Sequence, residues 1–123
     1  MPNTILVIDD SSMVRKQVAG ALKALDYTVL EAVDGVDALE KLASNEGVRL
    51  IVCDVNMPRM NGLEFLERLG ARTAEVPVLM LTTEGQPSLM QRAKQLGAKG
   101  WIVKPFKPEF LAATAKKLAP ISA

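Results

Sequence analysis

The residues best suited to chemistry in this sequence are polar side chains that directly follow apolar runs. The apolar residues 50–53 lead into the carboxylate of Asp54, and residues 55–62 have the composition of a loop. Such a short apolar run is typical of a strand buried on both faces, so Asp54 belongs at the carboxyl end of that strand. An ionised carboxylate can attack phosphorus without a general base and form an aspartyl phosphate. Asp54 is therefore a candidate nucleophile.

Other apolar runs also end in polar groups that suit phosphoryl transfer. Asp9 and Asp10 follow the first run, Thr82 follows the fourth, and Lys104 follows the fifth. Phosphoryl transfer depends mainly on a metal ion, a lysine and hydrogen-bond donors that stabilise the charge on the phosphoryl oxygens. Three carboxylates at one sheet edge repel one another, and a hard divalent ion such as Mg²⁺ would relieve that repulsion. The sequence therefore predicts a magnesium site beside the candidate nucleophile.

The composition excludes several other kinds of site. The chain has no histidine, which removes Ser/His/Asp and Cys/His catalysis and the usual zinc sites. It has no Walker-type run and no Gly-x-Gly-x-x-Gly, so the phosphoryl group must come from another molecule. The net charge of +1 argues against a nucleic-acid or acidic-membrane surface. The lone Cys53 is interpreted as a small buried hydrophobe.

Length and the first residues bear on domain organisation. A chain of 123 residues is long enough for one domain with a single substantial core. Residues 1–4 include no basic segment before the first apolar run, and that run is far too short to span a bilayer. We therefore expect one cytoplasmic domain over residues 1–123, with no output domain and no membrane contact.

Strands and helices are predicted to alternate along the whole chain. The strands cover residues 4–8, 27–31, 50–53, 76–81 and 100–103. The helices are expected to start at Ser11 or Ser12, at Asp34-Gly35, at Asn61 with Glu64 as its capping-box partner, near Pro87, and near Pro108. This alternation implies an α/β fold with a doubly wound parallel five-stranded sheet. In such sheets the crevice outside the carboxyl ends of the strands is the usual ligand site.

Apolar residues at helical spacing indicate which face of each predicted helix is buried. In the first helix these residues are Val14, Val18, Leu22 and Leu25. In the last helix they are Phe110, Leu111, Ala115 and Leu118. The short helix after Pro87 is expected to end at Gly97, which can adopt the left-handed capping conformation.

The polar residues at the strand ends resemble the receiver domain of two-component response regulators. The resemblance covers essentially the whole chain and rests on Asp9-Asp10, Asp54, Met57-Pro58-x-Met60-Asn61-Gly62, Thr82 and Lys104-Pro105-Phe106. It implies the flavodoxin-like strand order 2-1-3-4-5, which is also the order in CheY. It further implies that a histidine kinase donates a phosphoryl group to Asp54.

The resemblance also implies a metal site and residues that tune the lifetime of the phosphoryl group. Asp10, Asp54 and the backbone carbonyl of Asn56 would ligate Mg²⁺, and Asp9 would contribute through water. Asn56 lies two residues after the acceptor Asp54, and Glu84 lies two residues after Thr82. In receivers, side chains at these two places affect how fast the phosphoryl group hydrolyses.

Switching residues follow from the same resemblance. Thr82 and Lys104 would hold the phosphoryl oxygens, and the Lys104-Pro105 peptide bond would be cis. Receivers usually carry Tyr or Phe at the place of Trp101, and that side chain turns inward when the threonine moves toward the phosphoryl group. Tryptophan departs from this pattern. The surface of the fourth helix, fifth strand and fifth helix is the expected switching face.

These roles describe a signalling protein rather than an enzyme, although it would catalyse its own phosphorylation from a phosphodonor and its own dephosphorylation. Among free-standing receivers, Asn56 and the run Thr82-Thr83-Glu84 are most similar to chemotaxis regulators of the CheY type. The expected partners of this monomer are a histidine kinase, a flagellar motor switch protein or other docking target, and a phosphatase. A stand-alone phosphorelay receiver or a regulator of a non-motility target would have nearly the same sequence features.

A phosphatase with an aspartate nucleophile, of the haloacid-dehalogenase type, is an alternative from another class. Those enzymes place the nucleophile after the first strand in an Asp-x-Asp pattern. Here Asp9-Asp10-Ser11 lacks that spacing, and Asp54-Val55-Asn56 lacks the second acid. A flavin-binding module would need a phosphate-cradling loop of Gly, Ser or Thr after the first strand, and that loop is missing.

Overall fold

The computed structural model describes residues 3–83 and 87–121. Within them the strands are β1 Thr4–Ile8, β2 Thr28–Ala32, β3 Val48–Cys53, β4 Val78–Thr82 and β5 Gly100–Val103. The α-helices are α1 Ser12–Lys23, α2 Gly35–Ser44, α3 Gly62–Leu69, α4 Pro87–Gln95 and α5 Pro108–Leu118. A 3₁₀ helix covers Gly70–Ala74. None of the described helices is long and apolar enough to cross a membrane.

The described strands form one parallel sheet in the order β2-β1-β3-β4-β5. This order confirms the predicted flavodoxin-like α/β fold. The register pairs Ile8 of β1 with Cys53 of β3. Because Asp9 and Asp54 are the next residues of these adjacent strands, both leave the sheet at the same edge.

The described core lies on both faces of the sheet. Side chains alternate between the faces along each strand, so Leu6 and Ile8 of β1 join one cluster while Ile5 and Val7 join the other. Residues of α2, α3 and α4 cover the first cluster, and residues of α1 and α5 cover the second. This packing explains why β1 and β3 are almost continuously apolar.

Side-chain caps fix the start of three helices at the positions that the sequence predicts. The Ser11 hydroxyl accepts a hydrogen bond from the backbone N–H of Val14 at 3.3 Å. Asn61 and Glu64 form a reciprocal capping box at the start of α3, with distances of 2.9 and 3.0 Å. Asp34 caps α2. Each cap satisfies a backbone N–H that has no partner within its helix.

The structure corrects the predicted burial of one α5 residue. Phe110 was expected to face the core, but it is 59% exposed. The buried positions of α5 are Leu111 and Ala115, and Leu118 is partly buried. These three residues follow one another at helical spacing, and Phe110 lies about 100° away from Leu111 around the helix. The prediction for Phe110 is therefore wrong.

The bounds of β2, β3 and β4 also differ from the sequence prediction. β3 begins at Val48 rather than residue 50. β2 begins at Thr28 rather than Tyr27, whose hydroxyl donates a hydrogen bond to the carbonyl of Ala119 at 2.5 Å. β4 begins at Val78 rather than residue 76. The carbonyl of Pro77 still accepts a hydrogen bond from the backbone N–H of Ile51, so the proline borders the sheet without joining β4. Proline lacks the N–H that a strand interior requires.

Candidate functional site

The carboxyl edge of the sheet brings three aspartates together. Asp9 and Asp54 are 1% and 6% exposed, whereas Asp10 is exposed. One carboxylate oxygen from each residue lies within 4.8 Å of the others. A set of oxygen atoms at this spacing suits a hard divalent cation such as Mg²⁺. We call these three residues the acidic pocket.

Backbone hydrogen bonds set the positions of the two buried members of the acidic pocket. The N–H of Asp54 donates to the carbonyl of Ile8 at 2.9 Å, and the N–H of Asp9 donates to the carbonyl of Ala32 at 3.1 Å. One side-chain oxygen of Asp9 also accepts the N–H of Ser11 at 2.9 Å. The carboxylates are therefore held by the ladder between adjacent strands and by the first turn of α1.

Lys104 reaches two of the three carboxylates. Its Nζ lies 2.7 Å from Oδ2 of Asp9 and 3.5 Å from Oδ2 of Asp54. Its backbone N–H donates to the carbonyl of Thr82 at 2.7 Å, and the Lys104-Pro105 peptide bond is cis. The sequence prediction assigned Lys104 to phosphoryl oxygens alone, so the ion pair with Asp9 is an addition. No local pattern indicates a contact between residues so far apart in the chain.

Asp54 is destabilised in its charged form. Burial raises the pKa of Asp54 above its ordinary value, and the neighbouring Asp9 carboxylate raises this pKa further. The Lys104 ammonium and the backbone N–H of Val55, which donates to Oδ1 at 2.8 Å, only partly oppose the rise. A second cation in the pocket would stabilise the carboxylates further, so the electrostatics as well as the donor atoms fit a bound metal.

Cys53 is not part of the reactive chemistry. It is fully buried in β3, and its thiol donates a hydrogen bond to the carbonyl of Asp54 at 3.2 Å. Burial raises the pKa of the Cys53 thiol well above its ordinary value, with further contributions from the Asp54 and Asp9 carboxylates. The thiol therefore stays protonated, in agreement with the interpretation of Cys53 as a small hydrophobe.

The remaining candidate residues lie at or near the same edge, with one exception that the structure does not describe. Thr82 is fully buried at the end of β4, where it pairs with Val103 of β5. Asn56 is exposed two residues after Asp54. Glu84 lies outside the described residues, so its predicted role is not tested.

Trp101 is a partly buried residue of β5. It pairs with Met80 in the sheet and lies partly buried against the cluster that α2, α3 and α4 cover. Its indole Nε1 is buried and has no hydrogen-bond partner within the part of the chain that the structure describes. Inward rotation of Trp101 on activation stays a prediction.

Sequence reasoning missed Arg15, which supports the acidic pocket from α1. Its Nη1 donates to the backbone carbonyl of Asp9 at 2.7 Å, and its Nε donates to Glu31 at 3.0 Å. A basic side chain near a helix N-terminus is unfavourable to the helix dipole. That placement could have indicated a tertiary partner for Arg15.

Comparison with known proteins agrees with this geometry. The family model for the response regulator receiver domain matches residues 5–116. The chain is 43% identical over 110 residues to chemotaxis protein CheY1 of Helicobacter pylori strain J99, covering 87% of this chain and 89% of that protein. It is 41% identical over 110 residues to a chemotaxis protein CheY homolog of Campylobacter jejuni, covering 87% and 85%.

Solved structures give the same result. Chemotaxis protein CheY4 of Vibrio cholerae superposes with a TM-score of 0.88 at 39% identity, over 96% of this chain and 99% of that one. The BeF3-activated DrrB receiver domain superposes with a TM-score of 0.86 at 29% identity, over 96% and 97%. Receiver domains are signalling proteins that bind Mg²⁺ through an acidic pocket at this position. The chain belongs to the response regulator receiver domain family.

Proposed function

We propose that the chain is a phosphoacceptor in two-component signal transduction and that Asp54 is the acceptor. A carboxylate oxygen of Asp54 attacks the phosphorus of a phosphohistidine on a histidine kinase, the P–N bond breaks, and the imidazole leaves with the electron pair. The observation that carries this proposal is the convergence of the acidic pocket and Lys104 around a nearly buried Asp54. That arrangement supplies positioning and charge stabilisation, which are the main requirements of phosphoryl transfer.

The chain's own side chains have separate roles in this proposal. Lys104 lies between the carboxylates of Asp9 and Asp54, so its ammonium is near the place where phosphoryl oxygens would arrive. The hydroxyl of Thr82, at the end of the adjacent strand, is a second donor to those oxygens. Both groups stabilise negative charge that develops on the phosphoryl group, and neither has to move a proton.

The metal would be held by Asp10, Asp54 and the backbone carbonyl of Asn56, with Asp9 contributing through water. When bound, Mg²⁺ neutralises carboxylate charge and the charge on the phosphoryl oxygens. The raised pKa of Asp54 supports this assignment because a cation would favour the ionised carboxylate that attacks phosphorus.

Dephosphorylation removes the phosphoryl group from Asp54, with water as the nucleophile. Water attacks phosphorus, the bond between phosphorus and the Asp54 oxygen breaks, and inorganic phosphate leaves. Asn56 and Glu84 are proposed to tune the rate of this step. Between the two steps, Thr82 and Trp101 are proposed to change the surface formed by α4, β5 and α5, which would then bind a target protein.

The proposed pathway is chemotaxis in the cytoplasm, with the flagellar motor switch as the docking target and a phosphatase as a further partner. The chain would act as a monomer. Support comes from the curated relatives, which are named as chemotaxis proteins and match at 41–43% identity over most of their length. Binding of the purified protein to a motor-switch peptide should strengthen after phosphorylation, and absence of any such binding would contradict the chemotaxis assignment.

Intact mass measurement after incubation with acetyl phosphate tests the acceptor step. Wild type should gain one phosphoryl group only when Mg²⁺ is present, and Asp54→Asn should gain none. Asp26→Asn is a matched control because Asp26 is exposed and precedes the amino end of β2, at the edge of the sheet opposite the acidic pocket. An unlabelled wild type, or a label that persists in Asp54→Asn, would contradict the proposal.

A further inference from the structure

The loop between β3 and α3 is fastened to the start of α2 at a place separate from the acidic pocket. Arg59 of this loop donates from Nε to Oδ2 of Asp34 at 2.7 Å and from Nη2 to Oδ1 at 3.1 Å. The backbone N–H of Gly35 donates to the carbonyl of Met60 at 3.1 Å. Two successive loop residues therefore bind two successive residues at the α2 start.

Asp34 is the fixed partner in this contact. It is 2% exposed, and its Oδ1 also accepts the N–H of Asp37 at 2.9 Å as the cap of α2. Burial raises the pKa of Asp34, but the hydrogen bond from Arg59, the N–H of Asp37 and the Arg59 charge outweigh burial and lower the pKa overall. Asp34 is therefore a charged group held rigidly by its own helix, and Arg59 is its counter-ion.

The backbone of Arg59 is unusual for a residue with a side chain. Its φ of +62° lies in the left-handed region, which disfavours residues other than glycine, asparagine and aspartate. Glycine would adopt this conformation more easily. The backbone N–H of Met60 donates to the carbonyl of Pro58 at 2.6 Å across this residue, and the two-pronged bond to Asp34 adds a side-chain contact that stabilises the same conformation.

The opposite end of the loop is closed by a second backbone contact. The N–H of Gly62 donates to the carbonyl of Val55 at 2.8 Å, and a Cβ at Gly62 would lie 2.3 Å from the carbonyl oxygen of Asp54. Asn56 lies between this closure and Arg59. Its backbone therefore belongs to a segment that is fixed at both ends.

We infer that Asp34 and Arg59 form a positioning pair that holds the β3–α3 loop and sets how the Asn56 carbonyl is presented to the acidic pocket. This inference rests on the proposed function, because it gives the Asn56 carbonyl to the metal. Neither residue of the pair touches the reacting groups. The pair acts by restricting the loop, so its loss should change metal affinity and phosphoryl-group lifetime while the rest of the fold persists.

Arg59→Gly is the most direct test because glycine adopts the observed φ easily and cannot pair with Asp34. The Asp34→Asn variant controls for the extra backbone freedom of glycine. Calorimetric titration with Mg²⁺ alone should show an affinity about tenfold weaker than that of wild type, as is typical when support for a metal ligand is lost. Without Mg²⁺, amide hydrogen exchange in the loop should be faster in Arg59→Gly, with little change in β1 and β3. The dephosphorylation rate after acetyl phosphate labelling should also change.

Three further variants separate positioning from general stability. Asp34→Asn keeps an oxygen that can cap α2 but removes the charge, so it should act in the same direction as Arg59→Gly. The double variant should bind Mg²⁺ no more weakly than the weaker-binding single variant, because both substitutions remove the same interaction. Arg92→Ala breaks the exposed pair between Arg92 and Glu67 and should leave Mg²⁺ affinity and loop exchange unchanged.

The outcomes distinguish this inference from the proposed function. Arg59→Gly with wild-type Mg²⁺ affinity and wild-type loop exchange would overturn the inference, and so would additive effects of Arg59→Gly and Asp34→Asn. A wild type that neither binds Mg²⁺ nor takes a phosphoryl group would overturn the proposed function instead. In that case amide hydrogen exchange in the β3–α3 loop alone decides whether Asp34 and Arg59 hold that loop.

Discussion

Asp54 and Asp34 are two nearly buried aspartates, 6% and 2% exposed, that follow β3 and β2, the strands on either side of β1. Their pKa values nevertheless shift in opposite directions, upward for Asp54 and downward for Asp34. Asp54 shares the lysine with a second carboxylate, whereas Asp34 has an arginine and a helix N-terminus to itself. The acidic pocket thus has less positive charge than its carboxylates need, and a bound cation can supply the rest. At the start of α2 the charge of Asp34 is already balanced.

The largest expected effect comes from removing the cation that the acidic pocket does have. Lys104→Ala leaves two buried carboxylates, Asp9 and Asp54, without their ammonium. Loss of one partner of a buried ion pair costs roughly 3–5 kcal/mol, and partial exposure of Lys104 should reduce the loss in free energy of unfolding to about 2–3 kcal/mol. Urea denaturation of wild type and Lys104→Ala in EDTA measures this difference in the free energy of unfolding. Added Mg²⁺ should recover part of the loss.

Lys99→Ala is the matched control, because Lys99 is an exposed lysine at the opposite end of β5. It should change the free energy of unfolding by less than about 0.5 kcal/mol. If Lys104→Ala behaved like this control, the pocket would not depend on its lysine, and the contrast with Asp34 would lose its electrostatic basis.

Asp34→Ala should have the next largest effect. It removes both the cap of α2 and the partner of Arg59, so we expect a loss of about 1–2 kcal/mol in the free energy of unfolding. Asp34→Asn should lose less because the amide oxygen can still cap the helix. Since the folded pKa of Asp34 is lowered, its charge stabilises the fold above the ordinary aspartate pKa of about 3.9, and this stabilisation disappears as pH falls through the folded value.

Urea denaturation at a series of pH values between roughly 3 and 7 would follow that loss. The difference between wild type and Asp34→Asn should be greatest near neutral pH and should shrink in acid. A difference that stays constant over this range would show that Asp34 stabilises α2 only as a neutral cap.

Asp54→Asn should have the smallest effect, and its sign is opposite. The folded pKa of Asp54 is raised, so the protonated form favours folding at low pH and this contribution is lost as pH rises through the folded value. An amide carries no charge at any of these pH values. In EDTA at pH 7 the variant should therefore be more stable than wild type, with a melting temperature higher by roughly 2–5 °C.

The gain should vanish as pH falls below the ordinary aspartate pKa of about 3.9, where Asp54 is protonated. Glu109→Gln, an exposed acid at the start of α5, should leave the melting temperature nearly unchanged. A variant that is less stable than wild type at neutral pH would contradict the conclusion that the Asp54 charge destabilises the fold.

Sequence patterns predicted the fold well because a strand that is buried on both faces of the sheet is almost continuously apolar in the sequence. The apolar runs that end at Ile8 and Cys53 gave two strands with their correct ends, and Asn61 with Glu64 gave the start of α3. Phe110 was misplaced because α5 carries apolar residues on more than one side. In such a helix, periodicity alone does not select the buried face.

The positions of the polar side chains at strand ends could also be predicted, because parallel strands share an edge. Their partners could not be predicted. Lys104 and Asp9 are 95 positions apart, and Arg59 and Asp34 are 25 apart. No periodicity connects such residues, since their contact depends on strand order, register and the course of a loop with a left-handed residue.

The buried thiol of Cys53 allows opening of the central strand β3 to be measured by chemical labelling. Cys53 is the only cysteine of the chain, and it is inaccessible in the folded state. A thiol reagent can modify it only when the strand opens, so the labelling rate follows the population of open molecules. Comparison of the labelling rate with and without Mg²⁺ would measure how strongly a cation in the adjacent pocket stabilises the folded sheet against opening. This measurement needs no substitution in the chain.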